Sequence, residues 1–136
     1  VVPVENDTRG RAGEAKLSGL TRIERAIRVS FRALWWGVRE EEAVRVAVFM
    51  LAVFVPLGLW LGQSGIERAL LVGVLLVAFV VEILNTAVEV VVDRIGLEHH
   101  DLSGLAKDLG SAAVMIALLL TIIVWLLILW GRLPGR

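Results

Sequence analysis

With 136 residues, 57% of them hydrophobic and 21% charged, the chain has the length of one domain and the composition of a membrane protein rather than a soluble one. Its 14 basic and 14 acidic residues cancel, which gives no support to nucleic-acid binding. The absence of cysteine excludes disulfides, a thiolate nucleophile and a thiolate metal site.

Residues 1–19 hold proline, glycine and scattered charges and are expected to be a disordered polar N-terminus. They contain no apolar core of the kind a signal peptide needs, so none is expected. The domain proper is expected over residues 20–136.

Its first element is an arm over residues 20–45, LTRIERAIRVSFRALWWGVREEEAVR. Leu20, Ile23, Ile27, Phe31, Leu34 and Val38 recur at spacings of three and four, the mark of an amphipathic helix. Arg25, Arg28, Arg32 and Arg39 lie mostly off that stripe. Such a helix is expected to lie on the membrane surface with its apolar face down. Within REEEAVR (39–45), Glu41 and Arg45 are placed for an i,i+4 ion pair.

Three membrane spans follow, over about 46–62, 69–92 and 109–131. The first contains Pro56, which predicts a kink, and GQSGIER (62–68) reads as a tight turn after it. Trp60, Trp125 and Trp130 are expected at membrane interfaces. Nine of the 14 Lys and Arg residues precede the first span. By that bias the arm and the second loop face the cytoplasm, and the first loop and C-terminus face outward.

The second span, which includes VEILNTAVEVVVDRIG (81–96), breaks the hydrophobic pattern. At about 100° per residue, Glu82, Asn85, Glu89 and Asp93 fall on one helix face, flanked by Ala78 and Thr86. Intramembrane carboxylates are costly unless neutralised, paired or hydrated. Two on one stripe repel when ionised unless a cation lies between them, and a divalent ion suits such oxygen ligands. The bland alternative is a protonated glutamate that only links helices by hydrogen bonds.

In the second loop, Gly96 is a candidate C-cap, and Asp101 or Ser103 a candidate N-cap for the third span. Gly104, Lys107, Asp108 and Ser111 share one face of that helix. Lys107 suits a phosphate, and Gly104 leaves room for a ligand to approach the backbone. His99 and His100 are weaker candidates for metal or nucleotide contact. Carboxylates, an amide and a lysine are the parts of magnesium-assisted phosphoryl transfer, yet there is no P-loop and no kinase glycine-rich loop. Physical reasoning alone leaves kinase, transporter and ion pathway open; a small transporter or proton-relay subunit and a non-enzymatic membrane scaffold are the competing readings.

VEILNTAVEVVVDRIG followed by EHHDLSGLAKDLGSAA closely resembles the prokaryotic diacylglycerol kinase family. The resemblance runs from about Thr21 to Trp130. It includes TRI (21–23), the glutamate before the first span and the three-span pattern. It implies an all-α, three-span inner-membrane protein of bacteria with an N-terminal surface helix, assembled as a homotrimer with active sites shared between subunits. The implied reaction moves the γ-phosphoryl group of ATP, with Mg2+, onto the hydroxyl of diacylglycerol to give phosphatidic acid.

By motif match Glu82 is the implied catalytic base, and Glu41 and Glu89 the implied magnesium ligands. Arg22, Asn85, Glu98, His100, Lys107 and Asp108 join Glu41 and Glu89 as the implied ATP site. Ser30, Trp35 and Ser111, with Glu82, lie on the implied lipid path. Ala47, Val29 and Phe31 depart from the family pattern, which touches adenine and lipid contacts rather than the reaction. Undecaprenol is the alternative acceptor, and DRIGLEHHDLSGLAKDLGS looks more like the diacylglycerol type.

Overall fold

The computed structural model describes residues 19–96 and 100–132, and these form four helices and no strands. They are α1 (Gly19–Glu40), α2 (Glu42–Leu61), α3 (Gly65–Ile95) and α4 (Asp101–Trp130). The expected disorder of residues 1–19 falls almost wholly outside the described residues. The chain divides into two compact units, Val1–Trp36 and Gly37–Arg136.

The first unit carries most of α1. Ile23, Ile27, Phe31 and Leu34 are all exposed, as a stripe awaiting another surface would be. Glu24 and Arg28 form an exposed i,i+4 ion pair at 2.9 Å, which at this exposure contributes about 0.3–0.5 kcal/mol.

The arm expected to run to residue 45 stops at Glu40. Glu41 is extended (φ −108°, ψ 120°) and helix resumes at Glu42. Two side chains account for the break. The Arg45 guanidinium donates to the Arg39 carbonyl at 3.1 Å, satisfying an acceptor that the helix end leaves open. It therefore does not make the expected ion pair with Glu41. Gly37 lets the chain fold back onto the buried Val44, since a Cβ there would stand 3.3 Å from Val44 Cγ1.

Helices α2, α3 and α4, of 20, 31 and 30 residues, are each long and apolar enough to cross a membrane. They overrun the apolar runs read from the sequence, because the helical hydrogen-bond ladder continues past the last hydrocarbon-compatible residue. At 1.5 Å per residue α2 is about 30 Å long and α3 about 46 Å, so α3 exceeds a bilayer core by about three turns. That excess carries the polar stripe out of the apolar region.

The α2–α3 turn is three residues, Gly62–Ser64. Ser64 Oγ accepts from the Glu67 amide at 3.1 Å, and the Glu67 carboxylate accepts in return from the Gln63 amide at 2.9 Å. This is a capping box shifted by one residue. Arg132, just past α4, donates to Glu67 at 2.6 Å and ties the far end of α4 to the same turn.

The core of the second unit is Leu71, Leu75 and Trp125, packed by Leu51, Phe54, Leu57 and Ile128 among others. Trp125 corrects the expectation of an interfacial residue. It is only 9% exposed, stacks edge-on against Phe54 with ring centroids 5.4 Å apart, and donates its indole N–H to the Leu71 carbonyl at 3.2 Å. An indole can be buried where its N–H finds a partner, and here α3 supplies one. Trp60, at 79%, and Trp130, at 62%, stay exposed. Gly58 lets α2 come close to Leu71 and Trp125, since a Cβ there would stand 3.2 Å from Leu71 Cβ and 3.4 Å from Trp125 Cζ2.

One turn earlier on α4, Thr121 donates to the Ala117 carbonyl at 2.9 Å and lies 3.3 Å from the Val74 carbonyl. Hydrocarbon offers no hydrophobic drive between helices, so such packing and polar contacts hold them together. Trp125→Ala is expected to cost about 3 kcal/mol, the lower end for a buried tryptophan truncation. Thermal inactivation in detergent should occur at clearly lower temperature, with Trp125→Phe intermediate.

Candidate functional site

The stripe read from the sequence faces inward. Asn85 is 9% and Thr86 8% exposed, and Glu82 and Glu89 are half-buried. On the other side of α3, Val80, Leu84 and Val91 are exposed, as lipid-facing residues should be. Packing on α4 fixes this rotation of α3, since an inward apolar face with outward glutamates would put charge into hydrocarbon.

Glu82 sits at the wall of a mainly apolar groove. The groove, of about 310 Å3, is lined by Ala47, Met50, Leu51, Leu75, Ala78, Phe79, Val114 and Leu118, with Thr121 as the other polar member. A carboxylate on a greasy groove is what a hydroxyl at the head of an alkyl chain would meet.

Two turns on, Asn85 Nδ2 donates to Glu89 Oε1 at 2.8 Å. The bond is i,i+4 along α3 and holds the carboxylate on the stripe. Seven residues separate Glu82 from Glu89, about 10 Å along the axis. The next stripe residue, Asp93, accepts from Lys107 Nζ at 2.6 Å, across the α3–α4 connection. Both partners are roughly half-exposed, so the pair is solvent-screened and weak, and it yields readily to a better anion.

His100 rather than Asp101 or Ser103 caps α4: its Nδ1 accepts from the Leu102 amide at 3.2 Å. Gly96 does end α3, in an extended conformation. A hollow of about 700 Å3 beside this connection is lined by Val92, Ile95, Gly96, His100, Leu102, Ser103 and Ala106. It includes neither Lys107 nor Asp108. Glu98 and His99 lie outside the described residues.

Glu82, Asn85, Glu89, Asp93 and Lys107 thus form one polar track on facing parts of α3 and α4. Asp108 and Ser111 follow on α4 and are exposed. Glu41 is half-buried at the α1–α2 break, with no side-chain capping bond of its own. Arg22, Ser30 and Trp35 are exposed on α1 in the first unit. Gly104 meets nothing within 4 Å of a built Cβ, which leaves room beside the backbone there.

Among the described residues, no three His, Asp or Glu side chains of one chain converge as a metal cage. Carboxylate and amide oxygens of this kind suit a hard divalent cation such as magnesium. It takes hard oxygen ligands and is commonly held by one or two carboxylates together with substrate phosphates. Glu89, oriented by Asn85, is such a carboxylate.

Sequence reasoning missed Gly110. It lies on α4 directly against Asn85, where a Cβ would collide with the amide oxygen. A glycine inside an otherwise helical apolar run was the available signal for a close helix approach.

Comparison with known proteins places these residues in context. A family model described as prokaryotic diacylglycerol kinase matches residues 28–129. The diacylglycerol kinase of Escherichia coli (strain K12) is 43% identical over 115 residues, covering 85% of this chain and 94% of that protein. The diacylglycerol kinase of Haemophilus influenzae is 44% identical over 110 residues, covering 81% and 93%. That of Helicobacter pylori (strain ATCC 700392 / 26695) is 36% identical over 117 residues, covering 86% and 88%.

Proposed function

Because the chain belongs to the prokaryotic diacylglycerol kinase family, we propose that it transfers the γ-phosphoryl group of ATP to the hydroxyl of diacylglycerol, giving phosphatidic acid. The observation that carries this reading is the polar track. Glu82 opens on an apolar groove, and the remaining polar residues lead away from it toward the α3–α4 connection.

The lipid hydroxyl is the nucleophile, so no covalent intermediate on the protein is required. Glu82 accepts the hydroxyl proton as the oxygen attacks the γ-phosphorus and the bond from that phosphorus to the bridging oxygen breaks, releasing ADP. Glu89 and Glu41 would hold magnesium, which would supply screening of the phosphate charge. Asn85 keeps the Glu89 carboxylate turned along the track. Lys107 leaves Asp93 for the phosphates, with Asp108 and His100 on the nucleotide side of the track. Glu98 and Arg22 are assigned to ATP, and Ser30, Trp35 and Ser111 to the lipid, by sequence match to the family alone. Catalysis then comes mainly from positioning and charge neutralisation.

The active assembly in this reading is a homotrimer in the bacterial inner membrane, with sites completed between subunits. The arm and the α3–α4 connection face the cytoplasm, where ATP is, and the α2–α3 turn and C-terminus face outward. The Glu67–Arg132 pair supports a common side for the last two, because it joins them at one end of the helices.

The test is lipid phosphorylation by the purified chain, with ATP and magnesium, using diacylglycerol and undecaprenol side by side. The proposal expects diacylglycerol to be the better acceptor. Preference for undecaprenol would reassign the acceptor, and ATP-independent, proton-gradient-driven transport would replace the kinase reading. Lys107→Met is expected to raise KM for ATP about tenfold, from loss of one charge-assisted hydrogen bond of about 1.5 kcal/mol, with a smaller change in kcat. Initial rates at varied ATP measure it.

A further inference from the structure

We infer that Gly110 on α4 is a positioning residue for Glu89, acting through the amide of Asn85. The inference rests on the reading of Glu89 as a magnesium ligand.

Asn85 has two ends, and both are accounted for. Its Nδ2 donates to Glu89 at 2.8 Å. The carboxylate can only accept, so the amide nitrogen must face it and the oxygen must face the other way. That oxygen, Oδ1, is buried with no hydrogen-bond donor. It lies against Gly110, on the line where any other residue would carry its Cβ. In glycine a Cα hydrogen occupies that direction, so the contact is a Cα–H···O approach of the kind found where helices pack closely. One helix therefore holds the amide from behind while it holds the carboxylate in front. A methyl at position 110 cannot share the space of Oδ1. The amide must rotate, which breaks its bond to Glu89, or α4 must retreat, which removes the support behind the amide and leaves it free to turn.

Steric support of this sort is local. Gly104, six residues earlier on the same helix, meets nothing within 4 Å. The tolerance for a side chain is thus specific to the neighbour, not to the helix. Alanine is a better helix former than glycine, so Gly110→Ala favours the helix itself and opposes only the Asn85 contact.

The test uses the full chain as wild type, Gly110→Ala, Asn85→Ala and the double variant. In Gly110→Ala the magnesium concentration for half-maximal lipid phosphorylation is expected to rise at least tenfold, with thermal inactivation near the wild-type temperature. The double variant should be no worse than Asn85→Ala, since the collision is then absent. Unchanged magnesium dependence, or losses that multiply in the double variant, would overturn the inference. If Gly110→Ala fails to assemble, recovery in the double variant supports the inference and failure there overturns it.

A second readout is independent of activity. Asn6 and Asn85 are the chain's two asparagines. Selective 15N-asparagine labelling therefore resolves the Asn85 side-chain amide, which should shift in Gly110→Ala and in Glu89→Ala alike. An unmoved Asn85 signal in Gly110→Ala would overturn the inference whatever the enzyme does. A moved signal in a chain that phosphorylates no lipid would fault the functional reading and leave the positioning role standing.

Discussion

Glu82→Gln is expected to lower lipid phosphorylation about 10²–10⁴-fold, the usual contribution of a general base. Glutamine has the same shape and can still donate and accept hydrogen bonds at the edge of the groove. It cannot take a proton. Among the described residues Glu82 makes no ion pair whose loss would unsettle the helices, and it lines the groove rather than the core cluster. The assembly and its thermal inactivation should therefore stay close to wild type, and magnesium dependence should be unaltered. A scaffold would tolerate this change, and a proton relay would lose transport without ever consuming ATP.

Glu89→Ala should be comparably severe for a different reason. A magnesium-held phosphate gains several kcal/mol of charge stabilisation, so losing one ligand is expected to lower the rate on the order of 10²-fold or more. The half-saturating magnesium concentration should rise with it. Alanine also strands Asn85, whose Nδ2 loses its acceptor while Oδ1 already has no donor. Leaving that buried amide unbonded costs about 1–3 kcal/mol of stability. Glu89→Gln separates the two effects: it keeps an acceptor for Asn85 but lowers the charge at the metal. It should restore thermal stability and leave the magnesium defect. A Glu89→Ala chain with wild-type rate and no magnesium dependence would remove Glu89 from the metal site.

The helices and their polar face were legible because they rest on periodicity. Residues 82, 85, 89 and 93 share a face in any α-helix, and three long apolar runs admit few alternatives to spanning helices. The break at Glu41 was not legible. Nothing in REEEAVR distinguishes an i,i+4 pair of Glu41 and Arg45 from an Arg45 that caps the preceding helix, because the outcome depends on Gly37 folding back onto Val44. Trp125 misled for a similar reason. Tryptophan near a span end suits an interface, but a partner carbonyl and the space above Gly58 belong to other helices. His100 capping α4 is a local contact that competes with two better-known capping residues next to it. Gly110 needed the third dimension, since only α4 docking on α3 shows what its missing side chain makes room for.

The proposed chemistry leads from a bilayer alcohol to a cytosolic nucleotide along two turns of α3, with no phosphoryl group ever resting on the protein. Following the label from ATP carrying γ-32P tests this most directly. The purified chain is incubated with magnesium and diacylglycerol, and label is measured in the extracted lipid, in inorganic phosphate and on the protein. The account predicts label in phosphatidic acid in proportion to the ATP consumed, none bound to the chain, and loss of the lipid label in Glu82→Gln. Label released only as inorganic phosphate, at the same rate with and without diacylglycerol, would contradict it.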